Sequence, residues 1–179
     1  MKNDILEILI TENELKGKIK ELGEIITKDY KGKDIMLIGV LKGCVLFLSD
    51  LAREIKLPLS MDFMVVSSYG TSTKSSGVVR IIKDLEKDIT GKDILIVEDI
   101  VDTGLTLNYL VDYLKSRNAS SVKVCTLLEK PDRRIANVKM DYVGFHIPDK
   151  FVVGYGLDYN EIYRNLPFVC VLKPEIYSN

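Results

Sequence analysis

One stretch, Ile94-Leu95-Ile96-Val97-Glu98-Asp99-Ile100-Val101-Asp102-Thr103-Gly104-Leu105-Thr106-Leu107, limits the possible folds more than any other part of the chain. The unbroken apolar run Ile94 to Val97 reads as a strand buried on both faces of a parallel sheet, since a strand with one wet face would alternate. It passes into two adjacent carboxylates, Glu98 and Asp99, then a third, Asp102, then the small pair Thr103-Gly104. Apolar residues at Leu107, Leu110, Val111 and Leu114 then recur at helical spacing. Strand, acidic turn, glycine and helix is how an α/β protein builds a ligand site at the carboxyl end of its sheet. Free N–H groups and hydroxyls at such a helix start suit a phosphate, while the carboxylates can hold sugar hydroxyls, a metal or a proton in transit. An acidic turn that merely complements a helix dipole accounts for one carboxylate and leaves two unexplained.

The 179 residues, 46% apolar and 28% charged, are expected to form one domain, 1–179, with a substantial core. A net charge of −1 argues against a chain built to coat nucleic acid or an anionic membrane. No apolar stretch approaches membrane-spanning length, and Met1-Lys2-Asn3-Asp4 is not a signal peptide, so a cytoplasmic protein is expected. Cys44, Cys125 and Cys170 are odd in number, widely spaced and set in apolar runs, which reads as buried reduced thiols. His146 is the single histidine, so a metal would need oxygen ligands, favouring magnesium over zinc.

Along the chain, Ile5 to Ile10 reads as a peripheral strand. Thr11 and Glu14 form a capping box for a helix with apolar Leu15, Ile19, Leu22, Ile25 and Ile26, ending at Lys31-Gly32-Lys33. Met36 to Leu41 is a buried strand broken by Lys42-Gly43, and Cys44 to Ile55 a helix. Leu59 to Val66, Val78 to Ile82 and Val122 to Leu128 read as further strands. Tyr142 to Phe145, Phe151 to Tyr155 and Val169 to Leu172 make a Gly- and aromatic-rich end that forms a hood or edge. Ser67 to Gly77, almost devoid of apolar anchors, reads either as a surface connection or as a closing lid.

Similar motifs are excluded by their spacing. No Gly-rich run ends in Gly-Lys-Ser/Thr, and no G-x-G-x-x-G follows a strand. Asp99 and Asp102 are three apart rather than two, and an EF-hand would not place Ile100 and Val101 between its first ligands. What remains resembles the phosphoribosyltransferases, whose phosphoribosyl-pyrophosphate motif the stretch from Ile94 to Thr106 matches position by position. Val143 to Glu161, with Phe151, Val152 and Asp158, is similar to the C-terminal signature of the hypoxanthine-guanine branch. The resemblance runs in order over essentially the whole chain. It implies the type I fold: a central, mainly parallel sheet flanked by helices, with a small hood from the N- and C-terminal segments.

The resemblance also implies roles. Glu98 and Asp99 hold the ribose hydroxyls, Asp102 is the general base at purine N7, and Thr103, Gly104, Leu105 and Thr106 cradle the 5′-phosphate. Leu105 is a mild departure, because some relatives carry a basic residue there. Lys42, Gly43 and Arg164 bind pyrophosphate, with Mg2+ on Glu98, Asp99 and Asp158. Lys130 addresses the 6-oxo group, Phe151 stacks on the base, and Val152 and Asp158 sit at its edge. Ser68 and Tyr69 belong to the lid, while Arg134 falls on a family-position arginine of undefined role. The implied substrates are phosphoribosyl pyrophosphate and a purine base, with no nucleic acid or membrane partner and a homodimer or homotetramer as the assembly. Hypoxanthine, guanine and xanthine are not separated by these residues. A regulator that keeps the fold as a sensor would be expected to show a basic face or an appended DNA-binding segment, whereas the extra N-terminal material here reads as one strand and one helix with no basic cluster.

Overall fold

The computed structural model describes residues 1–68 and 79–177. Its main sheet uses strands β2 (Ile35–Leu41), β3 (Ser60–Ser68), β4 (Val79–Lys83), β5 (Asp93–Val101), β6 (Ser121–Glu129) and β7 (Tyr142–His146), in the order β4-β3-β2-β5-β6-β7. All neighbours are parallel except β4, an antiparallel edge. Residues along β5 alternate between two buried faces, as the unbroken apolar run requires. Leu95 and Val97 pack with helices α1 (Glu12–Asp29) and α2 (Val45–Glu54), whereas Ile94 and Ile96 pack with helix α3 (Leu105–Ser116).

A second, antiparallel sheet joins β1 (Ile5–Ile10), β9 (Val169–Leu172) and β8 (Val152–Val153) in the order β1-β9-β8. This is the expected hood of N- and C-terminal segments, with its own small core of Val153, Tyr163, Leu166, Cys170 and Leu172. Within the segment Phe151 to Tyr155, expected in the hood or edge, only Val152–Val153 pairs as a strand, because Gly154 and Gly156 turn the chain with positive φ immediately afterwards. The three cysteines are free and buried, and no helix of the described residues is long and apolar enough to cross a membrane.

Local chemistry accounts for most element ends. Thr11 and Glu14 form the reciprocal capping box at the start of α1. Ile25, expected in the core, is instead exposed at 39%, since Leu22 and Ile26 complete the buried stripe without it. Ser67 and Ser68, expected in the loop, extend β3 opposite Arg80 and Val79, because β4 supplies a paired edge. The rest of the expected lid, Tyr69 to Gly77, lies outside the described residues.

Gly23 of α1 sits against the end of α2, where an added Cβ would lie 2.5 Å from Glu54 Cβ and 2.9 Å from its carbonyl carbon. Replacing a helical glycine by alanine ordinarily stabilises by about 1 kcal/mol. Here G23A is expected to destabilise by about 1–3 kcal/mol through overpacking, read as a lower urea midpoint.

Candidate active site

The strand order reverses direction between β2 and β5: β3 lies to one side of β2, while β6 and β7 continue beyond β5. Open α/β sheets bind ligands outside the carboxyl ends of strands at such a point. Lys42-Gly43 follows β2 there, and the acidic motif ends β5. Glu98 and Asp99 are strand residues rather than turn residues: β5 runs on to Val101, with Glu98 opposite Thr126 and Val101 opposite Glu129 of β6. Pairing with β6 therefore fixes both carboxylates on a rigid element.

The turn proper is Asp102 to Gly104. Gly104 takes φ 78° and precedes α3 with no side-chain cap. The first backbone N–H groups of the helix have no intrahelical partner, and Leu105 N reaches Thr103 Oγ1 only at 3.4 Å. A cavity of about 160 Å³ opens beside them, lined by Glu98, Asp102, Thr103, Gly104 and Thr106 among others, though not by Leu105. Unpaired N–H groups at a helix start, with flanking hydroxyls, make an anion site. Arg134 braces this loop from behind. It contacts Glu129 Oε1 at 2.6 Å and Val138 O at 3.3 Å, and its Cδ lies 3.1 Å from where a Gly104 Cβ would be.

Burial pushes Glu98 well above the ordinary carboxylate range, and the Asp99 charge adds to it. Burial likewise lifts Asp99 to about 6, against opposing hydrogen bonds led by the Ile100 N–H and the nearby Arg164 charge. Both groups are partly accessible, although protein atoms crowd them. A divalent cation would offset that burial, and an all-oxygen donor pair suits magnesium. The expected trio of Glu98, Asp99 and Asp158 is not gathered: no cluster of three metal-binding side chains occurs among the described residues. Asp158 is turned onto Arg164, with Oδ1 2.9 Å from Nη2. Two carboxylates still fit magnesium, which usually takes one or two from the protein and the rest from phosphate and water.

Three of the expected pyrophosphate and metal groups converge around Gly43. An added Cβ there would lie 1.6 Å from Asp99 Oδ2, and one on Gly156 would lie 2.0 Å from Gly43 O. Arg164 donates to Gly156 O at 2.8 Å. Lys42, joined to Leu41 by a cis peptide, meets Glu161 at 2.8 Å.

On the far side of Asp102, the segment after β6 folds back, with Lys130 N donating to Val101 O at 3.0 Å and Ile135 N to Thr103 O at 2.9 Å. Lys130 is buried, and its Nζ meets Asp149 Oδ1 at 3.2 Å. Arg133 Nε lies 2.8 Å from Asp102 Oδ1, and Arg133 Nη1 lies 3.4 Å from Asp149 Oδ2. Phe151 packs edge-on against Tyr159, with centroids 5.8 Å apart, and tilted against Tyr177. Val152 is buried in β8. Ser68 ends β3, and Tyr69 is outside the described residues.

The sequence reading missed Arg133, Asp149 and Glu161. Arg133 stands beside Lys130 in what reads as a solvated charge cluster, and neither acid has a local motif tying it to a cation. A Cβ on Gly43 would force the Asp99 carboxylate out of its place. G43A is expected to cost at least about 1 kcal/mol, lowering the melting temperature by about 2–4 °C or more in a thermal scan.

Comparison with known proteins agrees with this geometry. The chain is 56% identical over 179 residues to a hypoxanthine-guanine phosphoribosyltransferase of Bacillus subtilis, covering 99% of that protein. It is also 56% identical over 178 residues to the bifunctional protein TilS/HprT of Listeria monocytogenes, of whose length it spans 28%. A crystal structure of a hypoxanthine phosphoribosyltransferase from Staphylococcus aureus superimposes with a TM-score of 0.98 at 54% identity, over 100% of this chain and 97% of that one. Residues 5–160 match the phosphoribosyl transferase domain, and with the helix-start anion site at the switch point of a mainly parallel sheet, this chain belongs to the phosphoribosyltransferase family.

Proposed function

We propose that this chain is a magnesium-dependent purine salvage transferase. It joins hypoxanthine or guanine to phosphoribosyl pyrophosphate, giving IMP or GMP and pyrophosphate. The observation that carries the reading is the meeting, at one switch point, of an uncapped helix start, three carboxylates and the cations Lys42 and Arg164.

In this reading the 5′-phosphate sits on the Thr103 to Thr106 segment, where N–H groups and two threonine hydroxyls meet its charge. Glu98 and Asp99 hold the ribose hydroxyls. As carbon 1 loses pyrophosphate before the new bond is complete, positive charge grows on the sugar, and these adjacent carboxylates stand close to it. Lys42, the Gly43 backbone and Arg164 neutralise the leaving pyrophosphate. Magnesium, held by Glu98 and Asp99 with Asp158 close to Asp99, would supply further charge to that leaving group. Asp102 accepts the N7 proton as N9 attacks. Arg133 lies against the same carboxylate and has to share or yield it as the purine enters.

Lys130 carries the base choice. A buried ammonium offers donors only, so it pairs with a 6-oxo group and cannot accept from the 6-amino group of adenine. Phe151 offers a flat face for the purine, the backbone near Val152 its edge contacts, and Asp158 lies nearby. The reading includes one domain, 1–179, with a lid over 67–77 that keeps water from the cation-like intermediate. It also takes the enzyme to be cytoplasmic and to assemble as a homodimer or homotetramer.

The decisive assay supplies magnesium, phosphoribosyl pyrophosphate and, separately, hypoxanthine, guanine, xanthine and adenine. Hypoxanthine or guanine should turn over and adenine should not, and D102N should lower kcat by about 10²–10⁴-fold while still binding phosphoribosyl pyrophosphate. Tight phosphoribosyl pyrophosphate binding with turnover on no base would sink the enzyme reading and favour a sensor. K130M should lower kcat/KM for hypoxanthine by about 10- to 100-fold, the loss of a charged hydrogen bond, and leave the KM for phosphoribosyl pyrophosphate unchanged.

A further inference from the structure

The two cations assigned above to pyrophosphate share a single carboxylate. Glu161 Oε2 lies 2.8 Å from Lys42 Nζ, and Glu161 Oε1 lies 3.3 Å from Arg164 Nη2. Lys42 follows β2 of the main sheet, whereas Glu161 and Arg164 belong to the segment leading into β9 of the hood. Nothing local in the sequence brings Lys42 to this acid, 119 positions away.

Glu161 is held in place by its backbone. Its N–H donates to Asp158 Oδ2 at 2.9 Å, Tyr159 pairs with Ile162 across the turn, and Glu161 takes φ 63°. Asn160 and Tyr163 are left-handed as well, at φ 50° and 77°. Such a run of non-glycine residues persists only where its surroundings over-determine it, and it clusters at functional sites. The side chain, by contrast, is 65% exposed and that of Lys42 is 68% exposed, so a solute can reach and displace the pair. One carboxylate oxygen on each of two cations presents the charge pattern of two oxygens of a phosphate.

We infer that Glu161 is an internal stand-in for pyrophosphate, a positioning residue that occupies Lys42 and Arg164 until the substrate displaces it and returns to them as pyrophosphate leaves. The inference rests on the pyrophosphate assignment made under Proposed function. Competition of this kind weakens binding of phosphoribosyl pyrophosphate and of product pyrophosphate alike and speeds release. It leaves the purine subsite alone, because Lys130 and Arg133 are held by Asp149 and Asp102 instead.

The test is calorimetric titration of pyrophosphate, at fixed magnesium, into the wild-type chain, E161Q and E161N. Asparagine is the side chain that tolerates left-handed backbone best, so E161N protects against a folding artefact. Both variants should bind pyrophosphate about two- to fivefold more tightly, the range an exposed ion pair is worth. The KM for phosphoribosyl pyrophosphate should fall in parallel and the KM for hypoxanthine stay unchanged. Equal or weaker binding by both variants, with the wild type still binding, overturns the stand-in and leaves the pyrophosphate assignment intact. A wild-type chain that does not bind pyrophosphate overturns the assignment itself. A residue with a purely structural role would weaken binding when replaced, never tighten it.

Discussion

Gly43 is held between two parts of the molecule, and the site depends on that close approach. Asp99 of β5 lies so near that a Cβ on Gly43 would meet its carboxylate at 1.6 Å, and Gly156 of the hood packs on the Gly43 carbonyl. Neither glycine has room for a Cβ as the chain stands. As a result the end of β2, the acids of β5 and the hood segment carrying Asp158, Glu161 and Arg164 come within reach of one another. The main sheet and its connections supply the acids, Lys42, Arg133 and Arg134, and the hood adds Arg164 near Asp99.

A second constraint follows from where the acids sit. Glu98 and Asp99 follow the wholly buried residues Ile94 to Val97 within β5, so their ionised forms lose water without gaining a full counter-charge. Arg164 relieves Asp99 only in part. The remaining charged groups of the cleft are paired within the chain: Lys42 with Glu161, Lys130 with Asp149, and Asp102 with Arg133. The Lys42–Glu161 and Asp102–Arg133 pairs are exposed enough to be weak, so a substrate can replace them.

Much of this was legible in the chain itself. The apolar run Ile94 to Val97, the acids after it, Gly104 and the spacing of Leu107, Leu110, Val111 and Leu114 identify strand, turn and helix, because each reflects a local rule of burial or backbone freedom. Thr11 and Glu14 predict their capping box for the same reason. Strand length was less legible: β5 carries its acids inside the sheet because β6 runs alongside to Glu129, and hydrogen bonding to a distant neighbour leaves no local mark. Arg133, Asp149 and Glu161 were missed because a surface charge looks the same in sequence whether it faces water or a partner 119 residues away.

The sequence by itself determined the α/β character, the glycine turn between β5 and α3 and the buried stripes of the helices, since these depend on side-chain type and short-range spacing. Only the tertiary structure decided that Asp158 turns to Arg164, that Arg133 rests on Asp102, and that one glutamate spans Lys42 and Arg164. Those pairings are set by the distance between charges after the hood has closed over the sheet, and Coulomb attraction follows that distance, not position along the chain.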